Sequence, residues 1–136
     1  MMTLDESIDY VASKFIYKND PLILTDAWFV MRNKENGFYY GDCEDFALTV
    51  FWCMCGGSIW MFIKNILNGT YKLHMVASND NKNNHCIAEF KDLWFDNWTR
   101  KELSKDEFFK LTNHKYGYQI KPFTIMCKLI IGLFYR

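Results

Sequence analysis

Residues 41–45 read GDCED, a cysteine among three acids, with the apolar run FALTVFWCMC following at 46–55. Asp42 is a good helix N-cap, Glu44 and Asp45 suit the positive end of a helix macrodipole, and Gly56-Gly57 supplies the stop. Phe46, Ala47, Val50, Phe51 and Met54 fall on one face of that helix. Cys43, three and four residues before the first two, shares the face, so its thiol sits at the helix amino terminus, aimed at whatever the helix packs on. Neighbouring acids make a thiol harder to ionise. Cys43 can therefore be read as a nucleophile, a metal ligand or a small buried residue.

Upstream, Thr3 and Glu6 have capping-box spacing, and Leu4, Ile8, Val11, Ala12 and Phe15 recur at helical intervals. A first helix to about residue 17 is expected, ended by NDPL at 19–22. Downstream, SIWMFIKNILNG at 58–69 reads as another helix. Strands follow: YKLHMVAS (71–78), a turn at NDNKNN, then HCIAEF (85–90) and LWFDNW (93–98) on either side of Lys91-Asp92. Ser104 and Glu107 cap a short helix through Leu111, and YGYQIKPF near 116–123 adds a strand. Helices first and an antiparallel sheet after them predict an α+β domain, a single one over 1–136, as no repeat, low-complexity tract or linker divides the chain.

The hairpin brings chemistry together. With Lys91-Asp92 as a two-residue turn, Phe90 faces Leu93, Glu89 faces Trp94, Ile87 faces Asp96 and His85 faces Trp98. His85 and Asp96 become diagonal neighbours on one side, close enough for imidazole and carboxylate to meet. A thiol at a helix start beside a His–Asp pair suits nucleophilic chemistry: the histidine takes the proton and the aspartate orients the ring. The Cys43 amide, lacking an intrahelical partner, is a natural oxyanion donor.

GDCEDFA before an apolar helix, His85 opening a strand, and FDNW carrying Asp96 together resemble the bacterial transglutaminase-like cysteine peptidases of the papain-like, transglutaminase-core superfamily. DAWF at 26–29 is similar to an upstream Asp-x-Trp segment of that family; FVMRNKE departs from the family's Thr-Pro-x-Glu. The resemblance covers about residues 5–100. It implies a papain-like core with the cysteine helix packed on an antiparallel sheet, and a triad of Cys43, His85 and Asp96. It further implies a cysteine hydrolase that cleaves an amide bond of a protein or peptide through a thioester. An amine acceptor would make it an acyl transferase, and a non-enzymatic binding module retaining the fold is the remaining alternative. Trp28 matches an upstream tryptophan that supports the oxyanion in transglutaminases, with a core role as the alternative. Asp42, Glu44 and Asp45 match acids through which some members bind calcium. Helix capping, with Glu44 and Asp45 pointing away from the thiol, is the reading preferred for them, and no cofactor is required. Short stand-alone chains of this kind are similar to phage-encoded proteins, which fits a cytoplasmic location, that of the host if the chain is phage-encoded.

The remaining residues carry less. Sixteen basic residues balance sixteen acidic ones, so there is no electrostatic footprint for nucleic acid. Five irregularly spaced cysteines form no disulfide framework, and the acidic start MMTLDESIDY is unlike a signal peptide, so free thiols in a cytoplasm are expected. Cys53, Cys55 and Cys86 are read as core. His74 is the rival base, and His114 is read as solvated in a polar loop. Asn97 is read as a brace for Asp96. The apolar stretch at 122–135, 14 residues long, is too short to span a bilayer and is expected to form a core helix or strand, with a membrane-surface or partner contact as the alternative. Oligomeric state is not legible in the sequence.

Overall fold

The computed structural model describes residues 2–18, 27–32, 36–77 and 84–134. The break expected at 19–22, Asp26, and most of the turn expected at 79–84 lie outside them. Thr3 and Glu6 close a reciprocal capping box on α1 (Leu4–Lys14), which buries Leu4, Ile8 and Val11. This helix ends at Lys14 rather than near residue 17. Phe15–Tyr17 turns extended as β1 and pairs in parallel with β2 (Tyr39–Gly41). Aromatic and β-branched residues suit such a strand, and the ladder with β2 satisfies backbone groups that a longer helix would have used.

β2 runs directly into α2 (Cys43–Met54). Asp42 accepts from the Asp45 amide, and the Asp45 side chain accepts from the Asp42 amide, each at 3.3 Å. Gly41 is required by close approach: a Cβ there would lie 2.7 Å from Met31 Sδ and 2.8 Å from Asp45 Oδ2. Every residue from Asp45 to Phe51 is buried, more than the single apolar stripe expected. The cause is the segment 27–31, which lies against the helix: the Phe29 amide donates to Asp45 Oδ1 at 2.9 Å and the Met31 amide to Thr49 Oγ1 at 2.8 Å. Two polar side chains four residues apart thus dock backbone on the helix face that would otherwise be wet.

After α3 (Ile59–Leu67) come β3 (Tyr71–Ala77), β4 (Asn84–Phe90), β5 (Leu93–Phe95) and β6 (Leu103–Ser104). Helix α4 (Lys105–Thr112), β7 (Lys115–Gln119) and α5 (Pro122–Phe134) complete the described chain. The five-stranded sheet has the order β6-β5-β4-β3-β7, antiparallel at every pairing. Lys91 and Asp92 both have positive φ, 48° and 67°, the mark of a primed two-residue hairpin turn. The predicted pairings Phe90 with Leu93 and Glu89 with Trp94 follow. The third strand of this meander is shorter than expected, ending at Phe95, so Asp96 and Trp98 leave the ladder.

The period of two divides the sheet. Tyr71, Leu73, Cys86, Ala88 and Phe95 face the main core with α1 and α2, where Phe51 stacks on Tyr71 at 4.3 Å. Val76, Ile87 and Trp94 face α4 around Phe108. Helix α5 sits on the segment 27–31, its Lys128 carbonyl accepting from the Trp28 amide at 3.2 Å, and a Cβ on Gly132 would collide with the Trp28 carbonyl. Ile125 of this helix is buried as expected of a core element, but Phe123, Ile130 and Leu133 are exposed. Among the described residues no helix is long and apolar enough to cross a membrane.

Replacement of Gly41 by alanine is expected to cost about 2 kcal/mol, since the methyl has no room between Met31 and Asp45. Urea denaturation of Gly41→Ala beside Gly37→Ala checks this. Gly37 has open space around its would-be Cβ, so its cost reports only the strain of a positive φ.

Candidate active site

The first turn of α2 carries the thiol. The β4–β5 ladder ends at Ala88 and Phe95, and just beyond it the Cys86 amide donates to Cys43 Sγ at 3.4 Å. The thiol is thereby held to the residue following His85. Side chains alternate along β4, so Cys86 is buried in the main core while His85, also buried, lies on the other face of the strand.

His85 Nε2 and Asp96 Oδ2 lie 2.7 Å apart, both residues buried. The sequence predicts this pair, but the chain achieves it with a turn rather than a longer strand. Asp96 Oδ1 accepts from the amides of Trp98 at 3.1 Å and Thr99 at 2.7 Å, which fixes the carboxylate just past the end of β5. The same turn stacks the Trp98 ring on His85, centroids 4.1 Å apart and planes 12° off parallel. Burial works to raise the Asp96 carboxyl, but the bonds from His85 and Thr99 outweigh it and hold the group below its ordinary value. With Nε2 committed to Asp96, Nδ1 is the ring nitrogen left for proton exchange. Asn97 does not brace the aspartate. Thr99 and the two amides do, while Asn97 Oδ1 is buried without a hydrogen bond.

The acids around Cys43 depart from expectation. Asp45 does turn away, into the capping box and the Phe29 amide. Glu44 does not: it acts on the Cys43 thiol and is itself acted on by Asp42, and its Oε2 is buried without a hydrogen bond. Burial, and then the contact with Asp42, pushes Glu44 up to about 9. Burial, and then the Asp42 charge, pushes Asp45 up to about 8. Burial and the Glu44 charge also push the Cys43 thiol well above its ordinary value, the Cys86 amide pulling weakly the other way. The helix terminus alone does not make this thiol acidic.

Trp28 is buried in the main core and, with Glu44, Met75, Tyr118 and Lys128, lines a cavity of about 570 Å³. His74, the rival base, is engaged elsewhere: Nε2 meets Glu89 at 2.9 Å, Nδ1 meets the Tyr116 hydroxyl at 3.0 Å, and the ring stacks on Trp94. Cys55 is buried against the Tyr71 hydroxyl at 3.1 Å, as core packing predicts. His114 is buried rather than solvated. It follows Asn113, the left-handed residue that ends α4, and its Nε2 comes within 4.0 Å of Asp96 Oδ2. The signal for it was available: His114 and Tyr116 stand two apart at the start of a strand, which puts both on one face.

No family model and no curated protein matches the chain. Two solved structures of Legionella pneumophila LapG, one of them EGTA-treated, are similar in fold, each with a TM-score of 0.56 at 20% identity over 87% of this chain. The match spans 61% of the EGTA-treated LapG chain and 63% of the other, so this chain covers less than two thirds of theirs. The likeness establishes an α+β fold with an antiparallel sheet like that of LapG.

Glu44 and Asp45 keep their protons in the fold at pH values where the unfolded chain has lost them. Their contribution to stability is therefore full below about pH 4 and is lost as pH rises toward 8–9. In EGTA, Glu44→Gln is expected to melt about 4 °C above wild type at pH 8.5, roughly 1 kcal/mol, with the gap closing by pH 5. Thermal unfolding followed by circular dichroism across that range reads the effect.

Proposed function

We propose that the chain is a cysteine hydrolase of the transglutaminase-like class, acting on an amide bond in a protein or peptide. The observation that carries this reading is the buried His85–Asp96 pair, one residue from the amide that holds the Cys43 thiol. The fold shared with LapG supports it.

In this reading His85 Nδ1 takes the thiol proton and the thiolate sulfur attacks the substrate carbonyl carbon. Asp96 holds the ring through Nε2–H and stabilises the imidazolium. The Cys43 backbone N–H, at the open start of α2, donates to the oxyanion, with Trp28 as a second candidate donor. His85 then returns the proton to the leaving amine as the carbon–nitrogen bond breaks, which leaves a thioester on Cys43. Water, deprotonated by His85, attacks the thioester; the acid departs and the thiol is restored. An amine in place of water would give acyl transfer from the same intermediate. The cavity beside Trp28 and Glu44 is where the acyl side of the substrate would lie.

The thiol's upward shift requires that something offset the acids. Burial and Asp42 raise Glu44 together, and the unpartnered buried Glu44 Oε2 is a hard-oxygen donor beside the Asp42 carboxylate in sequence. These residues fit calcium, which would be held by Asp42 and Glu44, with Asp45 already bound to backbone amides. Bound there, the ion would supply positive charge that favours the thiolate. Calcium is accordingly expected to raise the melting temperature at pH 8 by several degrees over EGTA, and Glu44→Gln to abolish the difference; differential scanning calorimetry checks both.

A second reading, a binding module that keeps the fold without chemistry, is favoured by the same elevated thiol. Iodoacetamide labelling at pH 7, with sites read by mass spectrometry, separates the two. A hydrolase predicts that Cys43 in calcium is alkylated at least about ten-fold faster than Cys53 or Cys127, and that His85→Ala removes the advantage. Equal rates at all three cysteines, with calcium and with EGTA, would overturn the hydrolase and leave the binding module as the reading to test.

A further inference from the structure

The His114 imidazole is buried with neither nitrogen hydrogen-bonded. Leaving such a group unpaired away from water is unfavourable, so its surroundings require a reason. Those surroundings are the far side of the His85–Asp96 pair. His114 Nε2 faces Asp96 Oδ2, its ring centroid lies 5.3 Å from that of His85, and Trp98 and Phe108 wall it in at 5.2 and 6.2 Å. One donor atom each from His85, Asp96 and His114 all fall within 4.8 Å of one another.

We propose that His85 Nε2, Asp96 Oδ2 and His114 Nε2 form a binding site for a first-row transition-metal ion, zinc above all. Two imidazoles and a carboxylate suit zinc rather than calcium or magnesium, and leave its fourth position open to water. Zinc bonds of about 2.0–2.2 Å put tetrahedral donors roughly 3.3 Å apart. Binding thus asks the 2.7 Å His85–Asp96 contact to widen and the 4.0 Å His114–Asp96 contact to close, each by under an ångström, and the two imidazole donors, within 4.8 Å of each other, to close by up to about 1.5 Å. Asp96 is ready for this, since Oδ1 alone accepts the Trp98 and Thr99 amides and Oδ2 is the oxygen turned to both rings. Trp98 and Phe108 restrict how the His114 ring can turn, which favours its keeping the orientation that faces Asp96. The ion differs in position and in donor type from the hard-oxygen cation at Asp42 and Glu44.

Occupancy has a consequence that rests on the hydrolase reading, whereas the binding itself does not. Metal on His85 Nε2 takes the lone pair and moves the ring proton to Nδ1. The nitrogen that would accept the thiol proton is then filled, so zinc holds the triad off.

Cobalt and zinc titrations of the intact chain test the site. Cobalt is expected to bind stoichiometrically with visible d–d bands and no near-ultraviolet thiolate charge-transfer band, and zinc to displace it. His114→Phe, which preserves ring packing, is expected to weaken binding at least about ten-fold, as is Asp96→Asn. Absence of stoichiometric binding in wild type, a thiolate band, or wild-type affinity in a folded His114→Phe would each overturn the proposal. Zinc binding that leaves Cys43 alkylation fast would retain the site and overturn the inhibition. Slow alkylation of Cys43 even without zinc would instead count against the hydrolase reading.

Discussion

One buried carboxylate organises the amino end of α2. Asp45 accepts from the Asp42 amide, receives the Phe29 amide on its other oxygen, and sits where any side chain on Gly41 would strike it. Remove these bonds and the segment 27–31 loses its anchor on the helix. That segment in turn carries Trp28, whose backbone receives α5. The thiol's position two residues earlier is therefore fixed by a polar contact rather than by apolar packing alone. Burying a carboxyl group is unfavourable unless its oxygens are hydrogen-bonded, and here two backbone amides supply the bonds while burial keeps the group's proton on to higher pH.

The same crowding explains the tension in the site. A helix start is a good place for a thiolate, but three acids in four residues and burial of the sulfur act against it. The first turn of α2 holds more negative charge than it can keep ionised, and protons on Glu44 and Asp45 are how the isolated chain accommodates it. Whatever cation or ligand group replaces those protons will also change the sulfur. Reactivity and local stability are in this way functions of one charge balance.

What the sequence made legible was local. The cap at Asp42 lies three residues from its partner, and the hairpin register rests on the parity of a two-residue turn, so both could be read from spacing. The His85–Asp96 pair followed from that parity, even though Asp96 reaches its place through a turn after Phe95 rather than along a strand. What escaped was set by distant pieces of chain. The parallel pairing of β1 with β2 involves three residues on each side and leaves almost no pattern. Phe29 on Asp45, Glu44 on the thiol, and His114 behind Asp96 are contacts between segments whose approach no periodicity announces.

The connectivity of the site has a consequence for how it assembles. His85 and Asp96 are only 11 residues apart and joined by a tight turn, whereas Cys43 must cross 43 residues to reach the Cys86 amide. The loop-closure entropy of the second contact exceeds that of the first by about 1 kcal/mol. The His–Asp pair is thus an autonomous feature of a local meander, and the thiol is a late and more easily lost arrival. Partial unfolding that begins at α2 would part Cys43 from His85 while His85 and Asp96 stay together.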